Sequence, residues 1–285
     1  MTKSMLSINS VLKEATELLS DVSDSALLDA EILLCLALNK QRSYLRAWPD
    51  NILKNSQLTD FNVLLKKRQQ GIPIAYITGN REFWSRDFLV TPDVLIPRPD
   101  TELLVELSLK LLPSDSEAKI IDLGTGSGII AITLAAERPN TKISAIDFSN
   151  SALDVAKKNA VIHNIKSISF YQSDWFSNIP DTQFNLIISN PPYIAEHDAH
   201  LQQGDLRFEP LSALCADEHG LKDIKIIAET ARNYLDANGH LLIEHGYDQS
   251  NQIQTIFKNL NYNNIQTYDD LSGQPRVTHG QWNLT

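Results

Sequence analysis

Apolar residues recur every three to four positions through the first seventy residues of the chain. They fall in stretches at residues 6–19, 27–36 and 58–65, separated by polar segments. Such spacing places the apolar side chains on one face of a helix. The pattern therefore predicts a small bundle of helices, which we assign to residues 1–75.

The hydrophobic pattern changes after residue 70. The segment QQGIPIAYITG contains Gly71 and Pro73, which interrupt a helix, and REFWSRDFLVTPDVLIPRP then alternates apolar and polar residues around a turn. Alternation around a turn is typical of a β-hairpin. We predict a hairpin at residues 76–98 that links the helical bundle to the rest of the chain.

From residue 99 onward, short strand-like runs alternate with helical ones. The runs are KIIDLG, KISAID, SISFYQ, FNLIIS and GHLLIEHG. Strands that alternate with helices predict an α/β domain, in which a mainly parallel sheet is covered by helices. We assign this domain to residues 99–285.

Length and charge narrow the possible classes of protein. A chain of 285 residues is long enough for two domains that each bury a core. The formal net charge of -10 at pH 7 argues against a partner that is held mainly through its phosphates. Nucleic acid is therefore not the expected partner.

The cysteines and the N-terminus bear on the cellular compartment. Cys35 and Cys215 lie far apart among apolar neighbours, which predicts buried thiols in a reducing cytoplasm rather than a disulfide. Charged residues interrupt the N-terminal apolar pattern, and the most apolar stretch, LLDAEILLCLAL, is too short to span a bilayer. We expect a cytoplasmic protein with no membrane partner.

A glycine-rich segment, IIDLGTGSGII, follows the first predicted strand of the α/β domain. It places Gly124, Gly126 and Gly128 between a strand and a helix, where glycine permits a sharp turn and a close approach to a ligand. Asp147 ends the second strand, 19 residues after Gly128, where a carboxylate can accept hydrogen bonds from both hydroxyls of a ribose. Together these features predict a cofactor that contains a nucleoside.

The spacing of the glycines distinguishes between cofactors. The dinucleotide fingerprint G-x-G-x-x-G would place its third glycine where Ile129 stands, so the match to NAD is imperfect. A G-x-G-x-G loop preceded by Asp122 resembles instead the loop of Rossmann-like methyltransferases that bind S-adenosylmethionine. After the third strand, SDWF offers Asp174 as an acceptor for the adenine amino group and Trp175 as an apolar wall for the ring.

The sequence SNPPY follows the fourth predicted strand, next to the glycine loop in a parallel sheet. The side-chain oxygen of Asn190 and the carbonyl of Pro191 can accept hydrogen bonds from one planar NH2 group, which Tyr193 can wall in. An amide nitrogen is a poor nucleophile, and two acceptors would orient it and stabilise the positive charge that grows during attack. The segment predicts methyl transfer to such a nitrogen.

Several segments resemble the bacterial-type release factor glutamine N5-methyltransferase family. They are PIAYITG, REFW, TPDVLIPRPDTE, IDLGTGSG, SDWF, NPPY, GDLRFEP and EHGYDQ. The resemblance implies a Rossmann-like domain with a mainly parallel seven-stranded sheet, and S-adenosyl-L-methionine as methyl donor. It also implies that the acceptor is the glutamine in the Gly-Gly-Gln motif of class 1 peptide chain release factors.

The resemblance also implies the site residues. The expected donor contacts are Gly124, Thr125, Gly126, Ser127, Gly128, Asp147, Asp174, Trp175 and Asn190. The expected glutamine contacts are Asn190, Pro191, Pro192 and Tyr193, among which Asn190, Pro191 and Tyr193 are the expected catalytic residues. The helical bundle is expected to recognise the protein substrate, since it carries no cofactor motif.

The motif NPPY alone leaves the substrate open, because enzymes that methylate adenine in DNA, guanine in ribosomal RNA and glutamine in proteins share it. A glutamine methyltransferase acting on ribosomal protein L3 and a nucleic-acid amino methyltransferase remain alternatives, although acidity weighs against the second. A noncatalytic adaptor that merely holds a nucleoside would leave NPPY unexplained. We expect a monomer that acts on class 1 release factors and makes no direct contact with nucleic acid.

Residues 194–218 form a long segment rich in histidine and acids. The spacing of these residues, His197, Asp198, His200 and Asp205, fits no compact metal signature, so no metal site is expected. The length of the segment beside a catalytic strand end predicts a substrate clamp, in which Arg207 and Glu209 pair internally. Glu244 and His245 end the fifth strand. The sequence does not distinguish whether they pack in the core, hold a loop in place or contact the substrate.

Overall fold

The structure, a computed structural model, describes residues 6–180 and 183–283. The chain divides into two compact units. The smaller unit comprises the chain up to Asn80 together with Ala199–Phe208, and the larger unit comprises Arg81–Asp198 and the chain from Glu209 onward. The boundary between the two units lies between Asn80 and Arg81, and the residues of the predicted linker from Arg81 to residue 98 lie in the larger unit. Nothing in the sequence pattern assigned Ala199–Phe208 to the smaller unit.

The smaller unit contains the helical bundle that the three-and-four spacing predicted. Its helices are α1 (Ile8–Leu19), α2 (Ala26–Leu38), α3 (Arg42–Ala47), α4 (Asn55–Gln69) and α5 (Ile74–Thr78). Ser7 caps α1, because its side chain accepts a hydrogen bond from the backbone of Ser10 at 3.3 Å. Leu19, Leu33 and Phe61 are almost completely buried at the centre of the unit.

A buried arginine joins Ala199–Phe208 to the helices of the smaller unit. Arg68 on α4 pairs with Asp29 on α2 at 2.8 Å, and both side chains are buried. Its Nη1 atom donates to the carbonyl of Gly71 at 3.2 Å and to the carboxylate of Asp205 at 3.4 Å. A buried charge needs such partners, because removal of one member of a buried ion pair leaves the charge of the remaining member uncompensated. Arg68 therefore fixes this segment on the bundle.

The larger unit contains the predicted α/β domain with a seven-stranded sheet. Its helices are α6 (Glu102–Leu111), α7 (Ile129–Glu137), α8 (Asn150–Ile162), α9 (Asp217–Gly220), α10 (Lys222–Ala231) and α11 (Ser250–Asn259). The main-sheet strands are β3 (Lys119–Leu123), β4 (Lys142–Asp147), β5 (Ile168–Gln172), β6 (Phe184–Ser189), β9 (Leu235–Glu244), β10 (Asn263–Asp269) and β11 (Pro275–Trp282). The hairpin is shorter than the predicted residues 76–98: it consists of β1 (Asn80–Phe83) and β2 (Arg86–Leu89), because α5 occupies the chain up to Thr78. A second pair of short strands is β7 (Ile194–Ala195) with β8 (Cys215–Ala216).

The order of strands in the main sheet is β10-β11-β9-β6-β3-β4-β5. Among the described strands of this sheet, β11 runs in the direction opposite to the other six. The mainly parallel sheet is confirmed. β3 and β6 are adjacent and in register, with Leu123 opposite Ser189. The glycine loop and the NPPY segment, which follow these two residues, therefore start side by side.

Successive residues of the central strands supply two separate cores. On β3, Ile120 packs in the apolar cluster that contains helix α7, whereas Ile121 packs in the cluster that contains helix α10. Leu186 and Ile187 on β6 divide in the same way. This alternation is the pattern of a parallel sheet that is covered on both faces. In sheets covered in this way, ligands bind in the crevice outside the carboxyl ends of the strands.

The structure also bears on the predicted burial of the two cysteines and on the predicted lack of a membrane-spanning helix. Cys35 and Cys215 are free thiols, but both are half-buried, so the prediction of buried thiols was wrong in degree. Within residues 6–180 and 183–283, every helix is too short or too polar to cross a membrane.

Candidate active site

A cavity of about 360 Å³ opens at the carboxyl ends of β3, β4 and β6. It brings together most of the residues that the sequence assigned to a site. Its wall includes Gly124, Thr125, Gly126, Ser127, Asp147, Asp174, Trp175, Asn190 and Pro192. Among the described residues, the predicted site members that do not line it are Gly128, Pro191 and Tyr193.

The glycine loop takes a shape that only glycine adopts readily. Gly124, Gly126 and Gly128 have φ values of 74°, 55° and 84°, in the left-handed region. At Gly128 a Cβ atom would lie 2.9 Å from the side chain of Ile132 and 3.2 Å from that of Ala156. Gly128 therefore packs the start of α7 against its neighbours, which explains why it does not reach the cavity.

Asn159 on α8 holds the glycine loop from behind. Its side chain is fully buried and donates to the carbonyl of Ser127 at 2.8 Å. The same side chain accepts from the backbone N–H of Leu89 at 2.8 Å and donates to the carbonyl of Leu89 at 2.9 Å. One amide group thus satisfies both the loop and strand β2 of the hairpin.

Asp122 lies beneath the loop. Its Oδ2 atom accepts from the hydroxyl of Thr125 at 2.7 Å and from the backbone N–H of Ala131 at 3.3 Å, while no described residue donates to Oδ1. Burial raises the pKa of this carboxyl group to about 7. Asp122 therefore orders the turn between β3 and α7 and does not itself reach a ligand.

Asp147 stands at the end of β4, on the cavity wall. Oδ2 accepts from the backbone N–H of Gly126 at 2.9 Å and Oδ1 accepts from that of Ser149 at 2.9 Å. Burial raises the pKa of Asp147. Hydrogen bonds from backbone N–H groups, including those of Ser149 and Gly126, lower the pKa and so offset part of this shift. The carboxylate is oriented by the chain, and its remaining lone pairs suit the two hydroxyls of a ribose.

We expect Asp147→Ala to weaken the binding of S-adenosylmethionine by about 10- to 100-fold. A hydrogen bond to a charged group contributes about 1.5 to 3 kcal/mol, and the variant would lose such acceptors. Isothermal titration calorimetry measures the change. Asp147→Asn is the matched control, since it keeps one acceptor oxygen and should bind more tightly than Asp147→Ala. An unchanged affinity in Asp147→Ala, or tight binding of NAD by the parent, would show that the ribose assignment is wrong.

Trp175 forms another part of the cavity wall. Its φ of 46° is unusual for a residue with a bulky side chain, and its ring lies 3.5 Å from the Cβ position of Gly124. The indole nitrogen donates to Asp223 at 3.2 Å. Asp223, on α10, also lines the cavity and was missed from the sequence, because no local motif surrounds it. Asp174 is exposed on the cavity wall beside it.

The NPPY segment is anchored at both ends. The hydroxyl of Ser189, fully buried, donates to the carbonyl of Leu123 at 2.8 Å. Asn190 donates from Nδ2 to the hydroxyl oxygen of Thr101 at 3.2 Å. The carbonyl of Tyr193 accepts from the side chain of Gln249 at 3.0 Å. The two termini of the segment are therefore held by β3 and by the residue that precedes α11.

Behind the segment lies a buried acid. Glu244, at the end of β9, is 1% exposed, and burial raises its pKa to about 7, although the hydroxyl of Thr101 and the charge of Arg276 act against the shift. Burial, and then the negative charge of Glu244, raise the pKa of Tyr193. His245 contacts the hydroxyl of Thr278 at 2.8 Å, which is a packing role. Sequence reasoning left the role of Glu244 open and missed Thr101.

Residues 194–218 contain short elements rather than one open loop. β7 and β8 pair within it, and short 3-10 helices lie at Ala199–Gln202, Gly204–Phe208 and Leu211–Ala213. Arg207 donates to the carbonyl of Gly204 at 3.0 Å, whereas Glu209 accepts from the backbone of Ile96 at 3.0 Å and pairs with Arg98. Arg207 therefore pairs within the segment, as predicted, whereas these partners of Glu209 lie outside it, at residues 96 and 98. The described part of the chain has no group of three metal-ligating side chains.

The chain matches known proteins in both units. The family profile of the methyltransferase small domain matches residues 100–206, and that of the PrmC N-terminal domain matches residues 10–79. The release factor glutamine methyltransferase of Vibrio cholerae is 50% identical over 280 residues, which cover 97% of each chain. That of Escherichia coli (strain K12) is 46% identical over 271 residues, which cover 95% of this chain and 97% of the relative.

The fold also matches a solved structure. A methyltransferase from Pyrococcus furiosus aligns with a TM-score of 0.54 at 14% identity, covering 80% of this chain and 99% of that chain. This likeness supports the fold alone, while the sequence relatives extend over nearly the whole chain. On that identity and coverage, the protein belongs to the release factor glutamine methyltransferase family.

Proposed function

We propose that this protein transfers a methyl group from S-adenosylmethionine to the side-chain amide nitrogen, N5, of the glutamine in the Gly-Gly-Gln motif of class 1 peptide chain release factors. The observation that carries the proposal is the position of Asn190. It lines the same cavity as the glycine loop and Asp147, and its amide is held from behind by Thr101. An amide-binding group therefore faces a nucleoside-binding group across one cavity.

The residues of the cavity fit S-adenosylmethionine. A Cβ atom at Gly126 would have no heavy atom within 4 Å, so the backbone there is open to a ligand. Carboxylates on the wall, Asp147, Asp174 and Asp223 among them, suit a donor that carries a positive sulfur. When bound, this donor supplies an electrophilic methyl group on that sulfur.

The chain itself orients the glutamine nitrogen. The side-chain oxygen of Asn190, which lines the cavity, accepts one N–H group of the substrate amide, and the carbonyl of the next residue, Pro191, is proposed as the second acceptor although Pro191 does not line the cavity. Two acceptors fix the plane of the nitrogen and stabilise the charge that develops on it. In the transfer, the amide nitrogen would bond to the donor's methyl carbon while the sulfur–methyl bond breaks, so that the donor leaves as S-adenosylhomocysteine, and the nitrogen would lose one proton to water. Because an alkylated amide nitrogen is strongly acidic, water is a sufficient base.

Mass spectrometry of a purified release factor, incubated with enzyme and donor, tests the proposal. We expect one added methyl group, on the glutamine of the Gly-Gly-Gln peptide. Ribosomal protein L3, ribosomal RNA and DNA, tested in parallel with a labelled methyl donor, should remain unlabelled. Labelling of one of these in place of the release factor would contradict the proposal.

We also propose that the protein is a cytoplasmic monomer that makes no direct contact with nucleic acid.

The helical bundle, assigned at first to residues 1–75, is proposed to recognise the protein substrate. Large apolar side chains are exposed around the turn between α1 and α2. They are Leu18, Val22, Leu27 and Leu28, with 48%, 38%, 52% and 39% of their surface exposed. Exposed apolar groups that cluster in this way are typical of a surface that binds another protein.

We expect the double variant Leu27→Ser and Leu28→Ser to lower kcat/KM for the full release factor by about 10-fold, as two apolar contacts are lost. Methylation of a short Gly-Gly-Gln peptide, which lacks the other surfaces of the release factor, should stay within about twofold of the parent. Val161→Ser on α8 is the control, since Val161 is 76% exposed in the larger unit. Equal losses on both substrates would refute a docking role.

A further inference from the structure

A short chain of polar groups runs inward from the catalytic segment. Asn190 donates from Nδ2 to the hydroxyl oxygen of Thr101 at 3.2 Å. The hydroxyls of Thr101 and Tyr193 face the carboxyl group of Glu244. Thr101 and Glu244 are each 1% exposed, and no described residue donates to Oε2 of Glu244 within ordinary hydrogen-bond geometry. A buried carboxyl group with an open acceptor position lowers the stability of the fold, and such a group calls for an explanation by function.

The charged groups around Glu244 shift its pKa in opposite directions. Arg276 on β11 favours the ionised carboxylate, whereas the negative Asp100 disfavours it. Arg276 is itself shared, since it pairs with Asp270 at 3.2 Å and with Asp100 at 3.5 Å. Desolvation lowers the pKa of the neighbouring His245, which disfavours the charged form of that ring. The environment therefore places the ionisation of Glu244 within reach of physiological pH.

We propose that Thr101 and Glu244 are positioning residues, which together turn the side-chain oxygen of Asn190 toward the substrate amide. The inference rests on the proposed function. An ionised carboxylate accepts hydrogen bonds and donates none, so the hydroxyl hydrogen of Thr101 points to Glu244. The hydroxyl oxygen then has lone pairs free for Nδ2 of Asn190, and Oδ1 is left for the substrate.

Protonation of Glu244 removes this constraint. The neutral acid is itself a donor, and the hydroxyl of Thr101 is then free to turn and donate to Oδ1 of Asn190. The amide of Asn190 would rotate and present its NH2 group to the NH2 group of the glutamine, which places two donors against each other. The fraction of enzyme with Asn190 in its productive orientation therefore rises as the pH increases through the pKa of Glu244, about 7.

The test compares single-turnover methyl transfer to a release factor from pH 6 to pH 9. In the parent the rate should rise about tenfold per pH unit below pH 7 and level off above it. In Glu244→Gln, which has no ionised form, the rate at pH 8.5 should be about 10- to 100-fold lower and independent of pH across this range. Asp122, which also has a pKa of about 7, stays intact in this variant, so the comparison isolates Glu244.

Thr101 supplies a matched pair of variants if Glu244→Gln does not fold. Thr101→Ser keeps the hydroxyl and should remain within a few-fold of the parent, whereas Thr101→Val should lose about 10- to 100-fold. Donor affinity should stay within a few-fold in both. The side-chain amide resonances of Asn190, followed by NMR, should shift with pH in the parent and not in Glu244→Gln. This readout reports on orientation and not on turnover.

The outcomes separate the positioning role from the proposed function. A parent-like rate and pH profile in Glu244→Gln, or a parent-like rate in Thr101→Val, would overturn the positioning role while the methylation reaction stands. Failure of the parent enzyme to methylate the release factor at any pH would overturn the proposed function and this inference with it.

Discussion

Replacement of Asn190 by alanine is expected to lower single-turnover methyl transfer to a release factor by about 10² to 10³. Loss of one preorganised partner for developing charge has this effect in other enzymes. Asn190→Ala keeps the backbone and both prolines but removes the oxygen that faces the substrate amide. Rapid-quench measurement with labelled donor gives the rate, and titration calorimetry should show a smaller change in donor affinity.

Asn190→Asp is the control for this loss. It keeps an acceptor oxygen but cannot donate to Thr101, so it should transfer methyl faster than Asn190→Ala and more slowly than the parent. A rate for Asn190→Ala within a few-fold of the parent would mean that the segment only shapes a turn. The assignment of Asn190 as an acceptor for the glutamine would then be wrong.

Replacement of Gly220 by alanine is expected to lower methyl transfer by about 10- to 100-fold and to lower Tm by several degrees. Gly220 has a φ of 81°, and its Cβ position would overlap the carbonyl oxygen of Tyr193 and lie 2.6 Å from the carbonyl carbon. It would also lie 2.8 Å from the side chain of Gln249, which holds that carbonyl. The NPPY backbone must move to make room.

Gly273→Ala separates this displacement from backbone strain. Gly273 has a φ of 76°, but its Cβ position has no heavy atom within 4 Å. This variant should therefore lose only the roughly 1 kcal/mol that a left-handed alanine costs, with unchanged methyl transfer. Calorimetry and single-turnover kinetics on both variants provide the comparison. Equal rates in the two variants would show that Gly220 has no role in placing Tyr193.

The parts of the site that could be predicted from the sequence are those formed by short runs of consecutive residues. The glycine loop and NPPY each join a strand to a following turn, so a short motif identifies both the element and its edge of the sheet. Asn190 and Thr101 are 89 positions apart, and only the folded chain brings them together. No spacing rule connects Glu244 or Asp223 to the motifs that they support, which is why their roles were not predicted.

The fold shows the same limit. The central strands were recognised because their residues are apolar on both faces, as burial in a parallel sheet requires. Strand β10 lies at the edge of the sheet and is mostly polar and half-exposed, so its pattern resembles that of a loop. The segment Ala199–Phe208 lies with the helical bundle through contacts such as Arg68 with Asp205, and such long-range pairs leave no periodic signal.

The side chain of Asn159 has a consequence for local unfolding. Because one buried amide bonds both to Ser127 in the glycine loop and to Leu89 in strand β2, the hairpin cannot detach without removing a support of the loop. The two segments should therefore open as one cooperative unit. A ligand that binds the loop favours the closed form by mass action. The hairpin is in this sense part of the donor site, since donor binding would slow hydrogen exchange at amides that never touch the donor.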